Sequence, residues 1–295
     1  MKNHNKQACF KNNMPELPEV ETIRLGVIEK LKGKKIKAVE IRVPKLFIGA
    51  KNDIIGAKIQ NAKRVAKILE IVLDNGYSIL IHLKLTGQLV YVPKGEKIVA
   101  SGGHFQRVYD QPLPHAYTHI IYELTDGSHL FFNDLRKFGW NRVVKTSEME
   151  KILGPDKFGP EPSSRNFTID YLKNIFSKSG KPVKLILMDQ QKIAGLGNIY
   201  TNDALYWAGI LPTRPAKSLS LQEINKLKSA IEKVIKLGLK SGGSSENTYV
   251  NIEGKRGKYM EVAAVYSQKK DPKGHQIKKI QVGGRGTFFC PICQK

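Results

Sequence analysis

LMDQQKIAGLGNIYTNDALYWAGI, residues 187–210, reads as two helices meeting at a glycine turn. Residues 182–189 and 198–207 carry helix-forming apolar patterns, and Gly195 and Gly197 permit a tight reversal between them. Asn198 suits the N-cap of the second helix, whose free amide hydrogens could donate to a phosphate. An ordinary helix–helix junction uses the same residues, so the turn alone does not decide a ligand. Outward from it, 168–176 and 220–237 also fit helices, the latter with Leu221, Ile224, Leu227, Ile231 and Val234 along one face. The second half of the chain is therefore helical.

The first half has a different period. A helix from Pro18 to Leu31 buries Val20, Ile23, Val27 and Leu31 and stops at Gly33. After it, alternating or β-branched stretches at 35–43, 54–60, 64–73, 78–83, 88–92, 118–125 and 129–132 are separated by Gly, Asn, Asp and Pro turns, the pattern of a β-sandwich or barrel. Residues 145–165 mix charge with Gly and Pro and carry no sustained period, which places the domain boundary there. Beyond the helices, a Gly/Ser-rich charged loop runs from Ser241 to Lys258, and Ile277 to Phe289 reads as a hairpin around Gly283-Gly284-Arg285-Gly286.

Charge points to the partner. The 295 residues hold 49 Lys plus Arg against 26 Asp plus Glu, a formal net charge of +23 that attracts polyanions, nucleic acid first among them. Residues 226–295 contain fifteen Lys/Arg and five Asp/Glu, so the excess is uneven. Three cysteines, Cys9, Cys290 and Cys293, are too few for a disulfide framework and suit a reducing cytoplasm. The apolar runs are too short to cross a bilayer, and residues 1–13 lack the apolar segment of a signal peptide and read as a polar tail.

Four segments could carry chemistry. In Met14-Pro15-Glu16-Leu17-Pro18-Glu19, Pro and acids at a helix start are one explanation. The other is a chain starting at Pro15, whose secondary amine would be partly unprotonated at neutral pH beside the Glu16 carboxyl; an internal prolyl nitrogen is not nucleophilic. Asn133–Trp140 ends a strand in a turn with Arg136, Phe138 and Trp140, the kit for entering DNA and replacing a displaced base, although a Phe and a Trp are as readily core. His82 and Leu85 in Ile81–Gly87 form a similar strand-to-turn. Arg285 on its glycine hairpin could grip a phosphate with paired hydrogen bonds, or be a solvated turn arginine.

In order and spacing, MPELPEVET, Lys67 in RVAKILEI, HLKLTGQL, DLRKFGW, LGPDKFGPEP, LMDQQKIAGLGNIYTNDALYWAGI and GGRGTFFCPICQK resemble the landmarks of the formamidopyrimidine-DNA glycosylase family from Met14 to Lys295. The resemblance implies an α+β protein: a two-layer β-sandwich (14–145), a linker (146–165), a helix-two-turn-helix domain with a lesion-capping loop (166–258) and a zinc-finger-like β-hairpin (259–295). It implies a monomer on double-stranded DNA containing oxidised bases or abasic sites, with the damaged purine flipped out. It also implies attack by the Pro15 amine on C1′, a Schiff base, proton shuttling by Glu16 and β,δ-elimination, with no cofactor needed for the chemistry. Lys67 matches the family's phosphate-holding lysine and Arg285 its δ-elimination arginine. Asn198 with Lys181 or Lys184 would contact DNA, Leu85, Arg136 and Phe138 would form the wedge, and His82, Tyr117 and His119 complete the expected DNA contacts, Tyr117 standing where the family often has His. A relative acting on oxidised pyrimidines, like endonuclease VIII, and a non-catalytic damage-binding module are the alternatives.

Two departures set expectations. Thirteen residues precede Met14, so translation is expected to start at Met14 or the tail to be removed. The family's two Cys-x-x-Cys pairs are reduced to Cys290 and Cys293, the first pair being replaced by Asp271-Pro272-Lys273-Gly274-His275. Counting two thiolates and His275 gives three ligands, one short of a closed zinc site, so the hairpin is expected to hold by packing of Phe288 and Phe289.

Overall fold

The computed structural model describes residues 14–98, 111–245 and 249–295. The tail ahead of Met14, and positions 246–248 of the loop expected to cap a lesion, lie outside them. Helix α1 (Leu17–Leu31) comes first. Pro18 fits its first turn, the Glu19 carboxylate accepts the Glu16 backbone amide at 2.7 Å, and Gly33 at φ 86° lies just past its end.

Among the described residues nine strands follow: β1 (Ile36–Ile41), β2 (Phe47–Ile48), β3 (Ile59–Val65), β4 (Ile68–Leu73), β5 (Tyr77–His82), β6 (Gly87–Val92), β7 (Thr118–Leu124), β8 (His129–Asp134) and β9 (Trp140–Lys145). They form a four-stranded sheet, β1-β7-β8-β6, and a five-stranded sheet, β2-β9-β5-β4-β3, antiparallel except where β2 meets β9. Inward residues of both sheets, such as Leu69, Ile71, Leu89 and Phe132, share one core with Val20, Ile23, Val27 and Leu31 of α1. Strand β4 is apolar almost throughout because its other face is covered too: Ile68 packs with Leu80, Val144 and Leu153, the last from α2 (Met149–Leu153). The expected strand at 54–60 is corrected: Ile54 to Gly56 form a turn, Lys58 makes a single bridge to Lys35, and strand β3 begins at Ile59.

The second half contains α3 (Ile169–Ser177), α4 (Val183–Met188), α5 (Asn198–Ala208) and α6 (Leu221–Lys240), then a hairpin of β10 (Lys278–Val282) and β11 (Arg285–Phe289). Gly283 and Gly284 sit at φ 57° and 71°, the left-handed pair that a two-residue hairpin loop requires. Asn198 is the first residue of α5 and Gly197 is its cap, so the expected N-cap lies one residue earlier. Buried Asp203 accepts hydrogen bonds from Tyr259 Oη and from the amides of Ala264, Val265 and Tyr266 at 2.8–3.0 Å, fastening the segment before the hairpin to α5.

Helix α1 belongs to both halves. Leu17 packs in the helical core while Val20 onward packs in the sandwich, and Tyr249 and Ile252 return from the second half into the sandwich core. Among the described residues no helix is long and apolar enough to cross a membrane.

Candidate functional site

The N-termini of α1 and α5 meet where the two halves join. The Leu17 amide donates to Gly195 O at 3.0 Å, an approach that leaves no room for side chains opposite. A Cβ on Gly195, which sits at φ 87°, would fall 2.6 Å from Leu17 Cδ1, and one on Gly197 would fall 2.4 Å from Glu16 Cδ. The glycine turn is thus the seat of Glu16. That side chain is 1% exposed; its Oε1 accepts the Ile199 amide of α5 at 2.8 Å, and its Oε2 is buried with no hydrogen-bond partner among the described residues.

Burial pushes the Glu16 carboxyl up to about 7, against the opposing pull of the Lys67 ammonium. A group at that value can hold or release a proton near neutrality, beside the buried Pro15. Glu19 shares the pocket. Its carboxylate accepts Tyr200 Oη at 2.7 Å, the Ser244 amide at 2.6 Å and the Glu16 amide at 2.7 Å, so it ties α1 to α5 and to one base of the expected capping loop.

Lys67 comes from the β3–β4 turn and is 6% exposed. Burial lowers its pKa, Glu16 and Glu19 oppose the shift and Arg285 adds to it, which places these four charges in one field. Arg285 opens β11 at the tip of the hairpin. The hairpin is held from below: Lys184 Nζ donates to Gly286 O at 3.2 Å and to Thr287 Oγ1 at 2.6 Å, Asn198 Nδ2 donates to Gly286 O at 3.1 Å, and the Phe288 amide donates to Asn202 Oδ1 at 2.8 Å. Lys184 is fully buried and pushed down to about 7 by desolvation, so it lies inside the joint with the hairpin, whereas Lys181 is exposed at the entrance to α4. The structure brings Pro15, Glu16, Lys67, Lys184, Asn198 and Arg285 to one end of the interdomain joint.

A second group lies on two adjoining turns of the sandwich. Asp134 organises 134–139 by accepting the amides of Phe138 at 2.8 Å and Gly139 at 2.7 Å, and it also accepts Thr86 Oγ1 from the neighbouring 83–86 turn. The Arg136 amide in turn donates to Thr86 Oγ1 at 3.0 Å, locking the turns side by side. Phe138 is 53% exposed with the Arg136 guanidinium 4.7 Å from its ring centre, and Leu85 is half-buried next to them. An aromatic ring held out under a cation is the shape of a base-replacing wedge. His82 accepts the Lys84 amide on Nδ1 at 2.9 Å, and burial pushes it down to about 3, so it shapes the 83–86 turn as a neutral ring. His119 is buried with Nε2 2.8 Å from Asp134 O, while Tyr117 is half-buried and its carbonyl accepts the Asp134 amide. Both histidines support the wedge turns from behind.

The hairpin base corrects the three-ligand count. Asp271, His275, Cys290 and Cys293 present one donor each, all within 4.8 Å of one another. Cys293 Sγ lies 3.3 Å from both Asp271 Oδ2 and His275 Nδ1, and those two lie 3.1 Å apart. Ligands around a tetrahedral zinc stand about 3.3–3.8 Å from each other, so two thiolates, an imidazole and a carboxylate fit the ion. Asp271 escaped the sequence reading because a lone aspartate has no spacing signature; its position four residues before His275 was the available clue. Glu19 was missed as well, although Glu16-x-x-Glu19 has the spacing of an N-terminal helix box.

Family descriptions match three stretches: the formamidopyrimidine-DNA glycosylase N-terminal domain over residues 14–141, the H2TH domain of the same enzymes over 158–250, and a zinc finger found in FPG and IleRS over 274–295. The last match, with the four donors, points to a metal at the hairpin base and gives no support to the expectation of a hairpin held without one. The formamidopyrimidine-DNA glycosylase of Pelotomaculum thermopropionicum is 37% identical over 290 residues, 96% of this chain and 99% of that protein. Its counterpart from Bacillus subtilis is also 37% identical, over 95% and 99%. Among solved structures, the Lactococcus lactis enzyme in complex with abasic-site DNA superposes with a TM-score of 0.84 at 30% identity, covering 95% of this chain and 99% of that one.

Proposed function

The chain belongs to the formamidopyrimidine-DNA glycosylase family, and from that premise we propose that Pro15 is its nucleophile and Glu16 its proton carrier. The protein is a base-excision-repair enzyme that removes oxidised purines from double-stranded DNA and cleaves the resulting abasic site. One observation carries the residue assignment: a buried Glu16 carboxyl, seated on the amide end of α5 and poised near neutrality, adjoins Pro15 within the field of Lys67 and Arg285.

With its nitrogen free, Pro15 attacks C1′ while Glu16 Oε2 gives a proton to the sugar ring oxygen and the ring opens. The C1′–base bond then breaks as an iminium forms between Pro15 and C1′, and the purine leaves with the proton given up by the Pro15 nitrogen. The iminium acidifies C2′; loss of that proton expels the 3′ phosphate, and a second elimination expels the 5′ phosphate. Lys67 and Arg285 hold the flanking phosphates, Arg136, Phe138 and Leu85 fill the gap left by the flipped base, and Asn198 and Lys184 keep the hairpin on the DNA side of the joint. Asp271, His275, Cys290 and Cys293 would hold a structural zinc, which would fix the hairpin base away from the reacting sugar.

A labelled duplex carrying one 8-oxoguanine tests this reading in protein that starts at Pro15. Cleavage to a gap with phosphate on both ends is expected; binding without strand scission would instead identify a damage-binding module. The Lactococcus lactis enzyme has also been solved with DNA containing an oxidised pyrimidine, at a TM-score of 0.83. That relative favours a lesion range reaching beyond purines, checked by the same assay on an oxidised-pyrimidine duplex.

A further inference from the structure

The turn that delivers Lys67 is clamped by an ion pair that the chemistry above does not use. Ala66, the residue before it, sits at φ 53°, a left-handed conformation that an alanine keeps only when its surroundings impose it. Its N–H donates to Glu161 Oε1 at 2.8 Å and its carbonyl accepts Arg64 Nη1 at 2.8 Å, so both peptide groups are taken. Arg64 and Glu161 are joined by two parallel bonds, each 2.7 Å, and Arg64 Nε reaches Glu21 Oε2 of α1 at 3.0 Å. The Arg64 side chain is 8% exposed. Glu161 lies in the segment joining the two halves, where the Ala194 amide donates to Pro160 O at 3.2 Å and the Gly159 amide to Gln190 O at 3.0 Å. One carboxylate therefore connects the turn ahead of Lys67 to the chain that enters the Gly195–Gly197 loop under Glu16.

We propose that Arg64 and Glu161 are positioning residues for Lys67, holding its turn in the one conformation that keeps the ammonium beside Glu16 and in step with the helical half. The inference rests on the role given to Lys67 above. Without the clamp Ala66 relaxes to negative φ, and the residue that follows turns out of the cleft.

The test is single-turnover base removal from a duplex with one 8-oxoguanine, by wild type, Glu161→Ala, Glu161→Gln, Arg64→Lys, Lys67→Ala and the Glu161→Ala/Lys67→Ala double variant, with DNA affinity measured alongside. Glu161→Ala is expected to slow base removal about tenfold or more at nearly unchanged affinity, as misplacement of a reacting group does. Glu161→Gln keeps an acceptor for the Ala66 amide and is expected to lose less. In the Lys67→Ala background the Glu161 change should cost nothing further. Equal slowing in both backgrounds, or a wild-type rate for Glu161→Ala, overturns the inference while leaving Lys67's role intact. A Lys67→Ala enzyme as fast as wild type overturns that role and the inference with it. Should Glu161→Ala fail to fold, the same cycle is run with Glu161→Gln.

Discussion

Glu16 has two opposed demands on it: burial favours its neutral form, while the α5 amide and the Lys67 ammonium favour the anion. Lys67 feels the mirror image, with burial favouring the free amine. A step that needs the Glu16 proton should slow by about tenfold per pH unit above neutrality, and Glu16→Gln should flatten that limb while lowering base removal roughly 100-fold. Stability carries the same signature. A carboxyl whose value in the fold, about 7, lies above its ordinary 4.5 stabilises most below 4.5 and loses that contribution as pH rises through 7. Melting temperatures from pH 5 to 8 should therefore fall less for Glu16→Gln than for wild type, and parallel curves would contradict the assignment. Pro15 and Glu16 stand together in one short motif and Lys67 is singled out by the family resemblance of RVAKILEI; the structure brings the three side by side, and their roles are what the experiments test. Lys184 was legible as a lysine and not as a buried one: the hairpin that covers it lies about a hundred residues further along the chain.

At the scale of elements, the site is built from ends: two helix N-termini, three sheet turns and one hairpin tip. The Gly195–Gly197 turn seats Glu16, and Gly197→Ala tests it. The new methyl would collide with the Glu16 carboxyl, so base removal should fall by more than about tenfold, with a stability loss of about 1–3 kcal/mol from overpacking. Unchanged kinetics with a lowered melting temperature would show that the close approach serves packing alone. Helices α1, α3, α4, α5 and α6 were read nearly to their ends, whereas α2 falls in the stretch 145–165 that carries no sustained apolar period. Strands were read less well: Trp140–Lys145 was not anticipated because it follows the wedge turn directly and carries Arg142 in its middle, exposed to solvent. Ile54 misled in the other direction, being apolar and fully buried while sitting in a turn.

The whole molecule is a positively charged body in which two domains share one helix, and its hairpin hangs from that frame by α4, α5 and the four-donor cluster. Zinc analysis of purified protein should find about one ion per chain, and Asp271→Ala should lower that content and weaken DNA binding, because the cluster fixes the strand ends behind Arg285. Full occupancy in Asp271→Ala would leave the carboxylate outside the ligand set. The domain order was legible from the switch in apolar period, two residues in the first half and three to four in the second. The interlocking was not, since Leu17, Tyr249 and Ile252 join distant parts of the chain with no local pattern to announce it. The central claim is that a free Pro15 amine does the chemistry, and borohydride trapping tests it most directly. Protein starting at Pro15 and the 295-residue chain are each incubated with an abasic duplex and reduced. A covalent complex from the Pro15 form alone is the predicted result; a complex formed by the intact 295-residue chain, or none from the Pro15 form, would contradict it.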